Sequence, residues 1–256
     1  MASVELKSAA ELGYMRDAGR IVRDILVELR KAVRPGVSTF ELDQLAEDLT
    51  YKNGAKPAFK GYRGFPCALC ASVNDEVVHG IPSKKRVLKE GDLMKVDFGV
   101  IYRGYYGDSA VTVPVGKVSL ASAKLIDTTR EALEAGIAAV KDGNRVSDIG
   151  AAVQKHAEAA GFSIVRDFVG HGIGRALHEE PKIPNYDFTH SADGLMHNPR
   201  LRPGMVLAIE PMVNAGGPKV KVLSDDWTAV TVDHAMSAHF EHTVALTEQG
   251  VEVLTG

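Results

Sequence analysis

Two stretches of this chain are written to one pattern. Leu88–Asp97 reads LKEGDLMKVD and Leu201–Glu210 reads LRPGMVLAIE. Each has a leucine, a basic residue, a glycine two places later, an apolar run, and an acid six residues after that glycine. Upstream, Gly36 and Gly54 stand eighteen residues apart, with Leu42 six after the first. Gly143 and Gly161 repeat that spacing, with Ile149 in the matching place. HGIP at His79 has an echo in HGIG at His171. Self-similarity of this kind marks an internal duplication. It predicts two helix–helix–strand–strand halves, each bringing an acid-bearing strand to a shared centre.

Within the first copy, Gly91–Ser109 (GDLMKVDFGVIYRGYYGDS) predicts two strands joined by a tight turn at Tyr102–Arg103–Gly104. A two-residue turn centred on Tyr102–Arg103 sets Asp97 opposite Asp108, with both carboxylates on one face. Like charges so placed repel, and a divalent cation, which carboxylate oxygens suit, would offset the repulsion. Two unrelated hairpin aspartates, one of them turn-forming, are the competing reading of this stretch alone.

Composition narrows the classes. A chain of 256 residues, 45% hydrophobic and 25% charged, can bury a large core without staples. One catalytic domain over 1–256 is expected, with halves at about 8–118 and 119–250. The net charge of -3, with signs well mixed, leaves no basic stripe for nucleic acid. No apolar run reaches transmembrane length, and MASVELKSAAELG lacks a signal pattern, so the expected location is cytoplasmic. Cys67 and Cys70 form a CxxC, but no second pair completes a zinc site. Reduced, partly buried thiols are expected.

Along the chain, helices are predicted over 8–32, from Ser38 or Thr39 to near Gly54, over Ser122–Ala139 and over Ser147–Ala160. Strands are predicted in Ala68–Val78 (turning at Asn74-Asp75), Val165–Val169, Met205–Ile209 and Ser237–Thr247, with a last hairpin starting at Trp227. The loop 55–67, rich in Gly, Pro and aromatics, either covers a core edge or lines a pocket. Residues 182–200 read as a polar loop in which His190 and His197 are solvated. The glycine run around His171 misses both the dinucleotide and the Walker spacing, and instead leaves that ring open to a ligand or metal. HEEP at His178 lacks the second histidine of a zinc helix, and Pro181 would break one. Glu241, inside SAHFEHTVALT, is costly in an apolar strand unless paired or coordinated. Alternation puts His242 on the opposite face. Asp97, Asp108, Glu210, Glu241 and His171 together offer four carboxylates and one imidazole. Such a set can hold two divalent ions and activate a water between them. His79 and His178 remain to bind a substrate carbonyl or shuttle a proton, although a lone histidine in a turn is more often structural or solvated.

The segments GYRGFP, VNDEVVHGIP, KVDFGVIYRGYYGDSA, GHGIGRALHEEP, LRPGMVLAIEPM and AHFEHTVALT resemble, over essentially the whole chain, the type I methionine aminopeptidases. The resemblance implies an α+β pita-bread (creatinase/aminopeptidase) fold, with pseudo-twofold ααββ halves and a curved antiparallel sheet. It implies two divalent metal ions (cobalt, manganese, iron or zinc) on Asp97, Asp108, His171, Glu210 and Glu241, with Asp108 and Glu241 bridging. Glu210 would also orient or deprotonate the attacking water. His178 would contact the scissile carbonyl and His79 would assist at the scissile nitrogen. Tyr62, Phe65, Cys70, Leu177 and Trp227 would line the methionine pocket. The implied activity is removal of initiator methionine from nascent polypeptide N-termini when the second residue is small, at the ribosome, by a monomer. The chain itself begins Met-Ala.

Leu177 stands where many members of that family carry phenylalanine, the 182–200 loop is longer than in compact relatives, and Cys67 has no family role. The long N-terminal extension of eukaryotic forms and the type II insertion are both missing, as in a bacterial enzyme. Two alternatives stand beside this reading. One is a proline-directed peptidase of the same fold, of the aminopeptidase P or prolidase kind, whose members usually carry an extra N-terminal domain. The other is a pita-bread binding module without catalysis, which the complete ligand set argues against.

Overall fold

The computed structural model describes residues 3–189 and 197–256. Helix α1 (Ala9–Ala32) begins at Ser8, whose hydroxyl accepts from the Glu11 N–H while the Glu11 carboxylate accepts from the Ser8 N–H. This capping box recurs at Ser38 and Glu41, where α2 (Thr39–Lys52) begins. Then come β1 (Lys56–Pro57), a single 3-10 turn at Tyr62–Gly64, β2 (Leu69–Val73), β3 (Glu76–Val78), β4 (Leu93–Tyr102) and β5 (Tyr105–Pro114). The second pair of helices is α3 (Leu120–Ala138) and α4 (Val146–Ala159), followed by β6 (Ser163–Ile164), β7 (Gly170–Gly172) and β8 (Glu179–Ile183). The remaining strands are β9 (Val206–Ile209), β10 (Met212–Asn214), β11 (Val220–Val222), β12 (Ala229–Thr231), β13 (Ser237–His239), β14 (Glu241–Thr247) and β15 (Gly250–Val253). Among the described residues no helix is long and apolar enough to cross a membrane.

The main antiparallel sheet runs β1-β4-β5-β14-β9-β7-β8, with β2 added to β4 and β15 to β14. Strand alternation gives it two unlike faces. Met94, Val96, Phe98 and Val100 pack under α1 and α2 with Ile25, Leu29 and Leu42. Leu207, Ile209, Val244 and Leu246 pack under α3 and α4 with Leu133, Ile149 and Val153. The residues between them, Asp97 and Glu241 among them, face away from the helices. The two smaller sheets, β13-β10-β6 and β11-β12-β3, complete the fold.

The repeat read from the sequence recurs in the backbone. The Gly36 N–H donates to the Leu88 carbonyl (2.9 Å) and the Leu88 N–H to Val37 (2.8 Å). In the second copy, the Gly143 N–H donates to Leu201 (3.0 Å) and the Leu201 N–H to Asn144 (2.7 Å). Gly91 and Gly204, with φ of 92° and 95°, lie in the left-handed region that side chains avoid.

Several expectations need correction. The β4–β5 turn is Arg103–Gly104, both at positive φ, because a tight two-residue hairpin turn needs that hand at both positions. Asp97 therefore pairs with Ala110, and Asp108 with Gly99. The two aspartates keep one face but sit diagonally, not opposite. Val165–Val169 is not a strand: the exposed Arg166-Asp167 pair interrupts it, and the Arg166 guanidinium lies over the Tyr186 ring at 5.0 Å. The final strand breaks at Phe240, so Glu241 opens β14 rather than standing in mid-strand. The hairpin at Trp227 pairs β12 back to β11, and β12 also to β3. His197 is exposed, whereas His190 lies outside the described residues.

The described part of the predicted 182–200 loop, up to residue 189, is also less loop-like than its composition suggests. β8 extends to Ile183, and Asn185, Tyr186 and Phe188 are buried. The backbone here reaches α4 at Gly150, where a Cβ would run into the carbonyl oxygens of Pro184 and Tyr186. Gly150→Ala should therefore destabilise the protein by about 1–3 kcal/mol despite the better helix propensity of alanine. Thermal denaturation of the variant beside the parent checks this.

Candidate metal centre and active site

Register alone assembles the site. Cys70 pairs with Asp97, Asp97 with Ala110, and Ala110 with Glu241, in one row across four strands. Carrying the β9–β14 register one residue past the Ile209–His242 pair brings Glu210 to Glu241. Two residues along, Asp108 stands opposite Gly99, and His171 pairs with Ala208, itself opposite Thr243. Equal parity turns all five side chains to the face without helices.

Ligand atoms of Asp108, His171 and Glu241 lie within 4.8 Å of one another. His171 Nε2 is 3.5 Å from Glu210 Oε1. Asp97 and Glu210 line the cleft floor, while Asp108 and Glu241 are buried beneath it. The His171 Nδ1 is 2.9 Å from the Gly172 carbonyl. A carbonyl only accepts, so Nδ1 carries the proton and Nε2 presents its lone pair to the cluster.

The electrostatics of this arrangement are unbalanced. Desolvation pushes Asp97 up to about 7. Asp108, Glu210 and Glu241 are pushed well above the usual carboxylate range by burial and then by neighbouring acids, Asp97 for the first two and Asp108 for Glu241. His171 is pushed down to about 3, by burial and then by His178. Asp108 Oδ1 and Glu241 Oε1 are buried without a hydrogen-bond partner. Lys95, one pair further along β4, turns its ammonium away to the carbonyls of Asn74 (2.7 Å) and Ser237 (3.1 Å). Four acids, orphaned oxygens and a neutral imidazole lone pair fit divalent cations that take oxygen ligands and accept one nitrogen.

A cavity of about 160 Å³ opens above this floor. His79 and His178 border it, and Tyr62, Phe65, Cys70, Leu177 and Trp227 line it. Phe65 and Trp227 meet edge to face at 5.1 Å. His79, at φ +60° just after β3, sits edge-on to Phe168 at 5.3 Å. Burial, and then His178, push it down to about 4. The Tyr62 hydroxyl lies 2.8 Å from His178 Nδ1, and the His178 ring is 4.3 Å from that of His171. Three contributors escape sequence reasoning. Phe59 and Arg63 also line the cavity, and their only signal is membership of the aromatic loop 55–67. Asn185 donates to the Glu210 carbonyl at 3.1 Å from the segment read as a polar loop. His242 faces the other side, with its Nδ1 2.9 Å from Thr255 Oγ1. Burial pushes both thiols up, Cys67 to about 11, so neither is an activated nucleophile.

The raised carboxylates carry a consequence for metal-free protein. A carboxyl whose folded pKa exceeds its unfolded value near 4 contributes stability fully present below that value and lost as pH rises through the folded one. Lys95, pushed down to about 7 by burial, works in the opposite sense, but above that pH it is one group against three, Asp108, Glu210 and Glu241, since Asp97 titrates at about 7. Above about pH 7 the histidines are neutral in both states. The melting temperature of metal-stripped protein should therefore fall between about pH 7 and 8.5, and excess Mn²⁺ should abolish the fall. Differential scanning calorimetry at both pH values reads this directly.

Comparison with known proteins agrees with this geometry. The model of metallopeptidase family M24 matches residues 13–248. The chain is 53% identical over 249 residues to methionine aminopeptidase 1 of Bacillus subtilis, covering 97% of this chain and 98% of that one. It is 50% identical over 250 residues to the methionine aminopeptidase of Clostridium acetobutylicum, covering 98% of each. The crystal structure of methionine aminopeptidase from Thermotoga maritima superposes with a TM-score of 0.94 at 46% identity over 99% of both chains. The prolidase of Pyrococcus furiosus shares the fold alone, with a TM-score of 0.77 and 24% identity over 98% of this chain and 65% of that one. With the pita-bread architecture and its buried Asp/His/Glu cluster, the chain belongs to metallopeptidase family M24, in the branch of the bacterial type I methionine aminopeptidases.

Proposed function

We propose that this chain removes the initiator methionine from nascent proteins whose second residue is small. The observation that carries the reading is a carboxylate–imidazole cluster with orphaned oxygens, set directly beneath an aromatic and apolar pocket. Asp97, Asp108, His171, Glu210 and Glu241 would hold two divalent ions, cobalt, manganese, iron or zinc. Such ions, when bound, supply Lewis-acid polarisation and a water that is nucleophilic at neutral pH.

The chain's own groups do the rest. Glu210, at the cleft floor, orients the attacking water and takes its proton. His178 donates from Nε2 to the scissile carbonyl oxygen and stabilises the oxyanion. That role needs the proton on Nε2, and Tyr62 provides for it by donating its O–H to Nδ1. His79, kept neutral by burial, passes a proton at the scissile nitrogen. Tyr62, Phe65, Cys70, Leu177 and Trp227 take the methionine side chain, whose flexible thioether suits a mixed aromatic and aliphatic slot.

We take 1–256 as one catalytic domain with halves at about 8–118 and 119–250. In support, the junction of β5 with β14 brings ligands from both halves to one face. We also take it to act as a cytoplasmic monomer on nascent chains at the ribosome, as the family resemblance implies. The prolidase alternative rests on a likeness of fold alone.

The test is release of methionine from Met-Ala-Ser by metal-stripped protein, before and after adding Mn²⁺ or Co²⁺. Metal-dependent release is expected, with no cleavage of an Xaa-Pro peptide. No release by folded protein with any metal would return the binding-module reading. Glu210→Ala should lose at least about 100-fold in kcat while remaining folded. Tyr62→Phe should lower kcat about tenfold with little change in KM, the equivalent of one hydrogen bond. Steady-state kinetics on the same peptide separate the two.

A further inference from the structure

The two halves of the sheet touch along a very short ladder. β5 and β14 pair only through Glu241–Ala110 and His242–Ser109. On each side of that contact a threonine hydroxyl stands in for the ladder. Thr243 Oγ1 accepts from the Asp108 N–H at 3.1 Å and donates to the Asp108 carbonyl at 2.7 Å. Thr112 Oγ1 accepts from the His239 N–H and donates to the His239 carbonyl, both at 2.8 Å. The arrangement is symmetric about the Ala110–Glu241 pair. Each threonine lies two residues after its own member of that pair and grips the residue two before the other member.

Both threonines are buried, at 3% and 1% exposure, and their own backbones are engaged elsewhere. The Thr243 N–H donates to Thr255 Oγ1 (3.1 Å), and its carbonyl accepts from the Leu254 N–H (2.9 Å). Thr112 pairs with Lys95 in the β4–β5 ladder. The strands therefore diverge on either side of the two-pair contact, within which the Ser109 hydroxyl donates to the Glu241 carbonyl at 2.6 Å, and the two threonine hydroxyls span the gap beyond it.

The two grips differ in what they hold. Thr112 holds His239, which is outside the carboxylate cluster. Thr243 holds Asp108 on both its N–H and its carbonyl, the two groups that fix the direction of the Cα–Cβ bond. One oxygen of the Asp108 carboxylate, Oδ1, is buried with no hydrogen-bond partner of its own. We propose that Thr243 is a positioning residue for the metal centre: its hydroxyl spaces β5 from β14 and so sets the Asp108 carboxylate against that of Glu241. The proposal rests on Asp108 being a metal ligand.

Valine keeps the shape of threonine and removes the hydroxyl. Thr243→Val and Thr112→Val each strand one buried N–H and one buried carbonyl, so both should lower the melting temperature of metal-free protein by similar amounts. Only the first should disturb the metal. Mn²⁺ is titrated calorimetrically into metal-stripped parent, Thr243→Val, Thr243→Ser and Thr112→Val. Thr243→Val should bind about 10–100-fold more weakly, the usual cost of losing a partner that orients a ligand. Thr243→Ser, which restores the hydroxyl, and Thr112→Val should both stay within about threefold of the parent. Parent-like affinity in Thr243→Val, equal weakening in the two valine variants, or failure of serine to restore binding would each overturn the proposal. If the parent itself binds no Mn²⁺, the metal reading falls and this inference with it. Should Thr243→Val not fold, Thr243→Cys replaces it, since a thiol is a weak donor and acceptor of similar size. Weakened binding supports the proposal and unchanged binding overturns it.

Discussion

Four carboxylates sharing one buried hollow cannot all ionise unless a cation joins them. This constraint governs the molecule. It explains why Asp97, Asp108, Glu210 and Glu241 are pushed toward their protonated forms in the bare chain. It explains why His171 is committed by the Gly172 carbonyl to presenting a bare Nε2. The arrangement stores an electrostatic demand that protons meet in the bare chain and that a divalent cation would meet with the carboxylates ionised, and the surrounding fold is what keeps the demand from relaxing.

The rest of the architecture supplies that rigidity. One face of the sheet is sealed by four helices through Val96, Phe98, Leu207, Ile209 and their neighbours. With that face fixed, alternation leaves the acids no choice of direction. The two halves carry matching glycine-anchored turns at Gly36 and Gly143, so the acid-bearing strands enter the sheet in equivalent ways. The aromatic loop and the β11–β12 hairpin then close over the open face, placing Phe65 against Trp227 and Tyr62 against His178. A carboxylate–imidazole cluster at the floor and an apolar slot above it are thus products of one sheet with two differently dressed faces.

Much of this was legible in the chain. An acid six residues after a glycine, twice, and a glutamate within an apolar strand are local signals, because a charge in a strand interior demands a reason. The capping boxes at Ser8 and Ser38 and the helix-ending glycines are local too, and the helices lie within a residue or two of expectation. The errors share a cause. The register of the β4–β5 turn, the break at Phe240 and the burial of Tyr186 and Phe188 depend on what a segment packs against. A pairing slip of two residues leaves every side chain on its own face, so the pattern of apolar and charged positions could not reveal it.

Sequence by itself determined which residues are candidates for the chemistry and which faces they occupy, since residue type and period are written in the chain. Tertiary structure alone decided how they meet. The diagonal placing of Asp97 and Asp108, the approach of Tyr62 to His178, the approach of Asn185 to Glu210 and the threonine hydroxyls between β5 and β14 all involve partners distant along the chain. Hydrogen bonds require specific atoms within about 3 Å, and only the folded chain brings atoms from residues 108 and 243 to that distance.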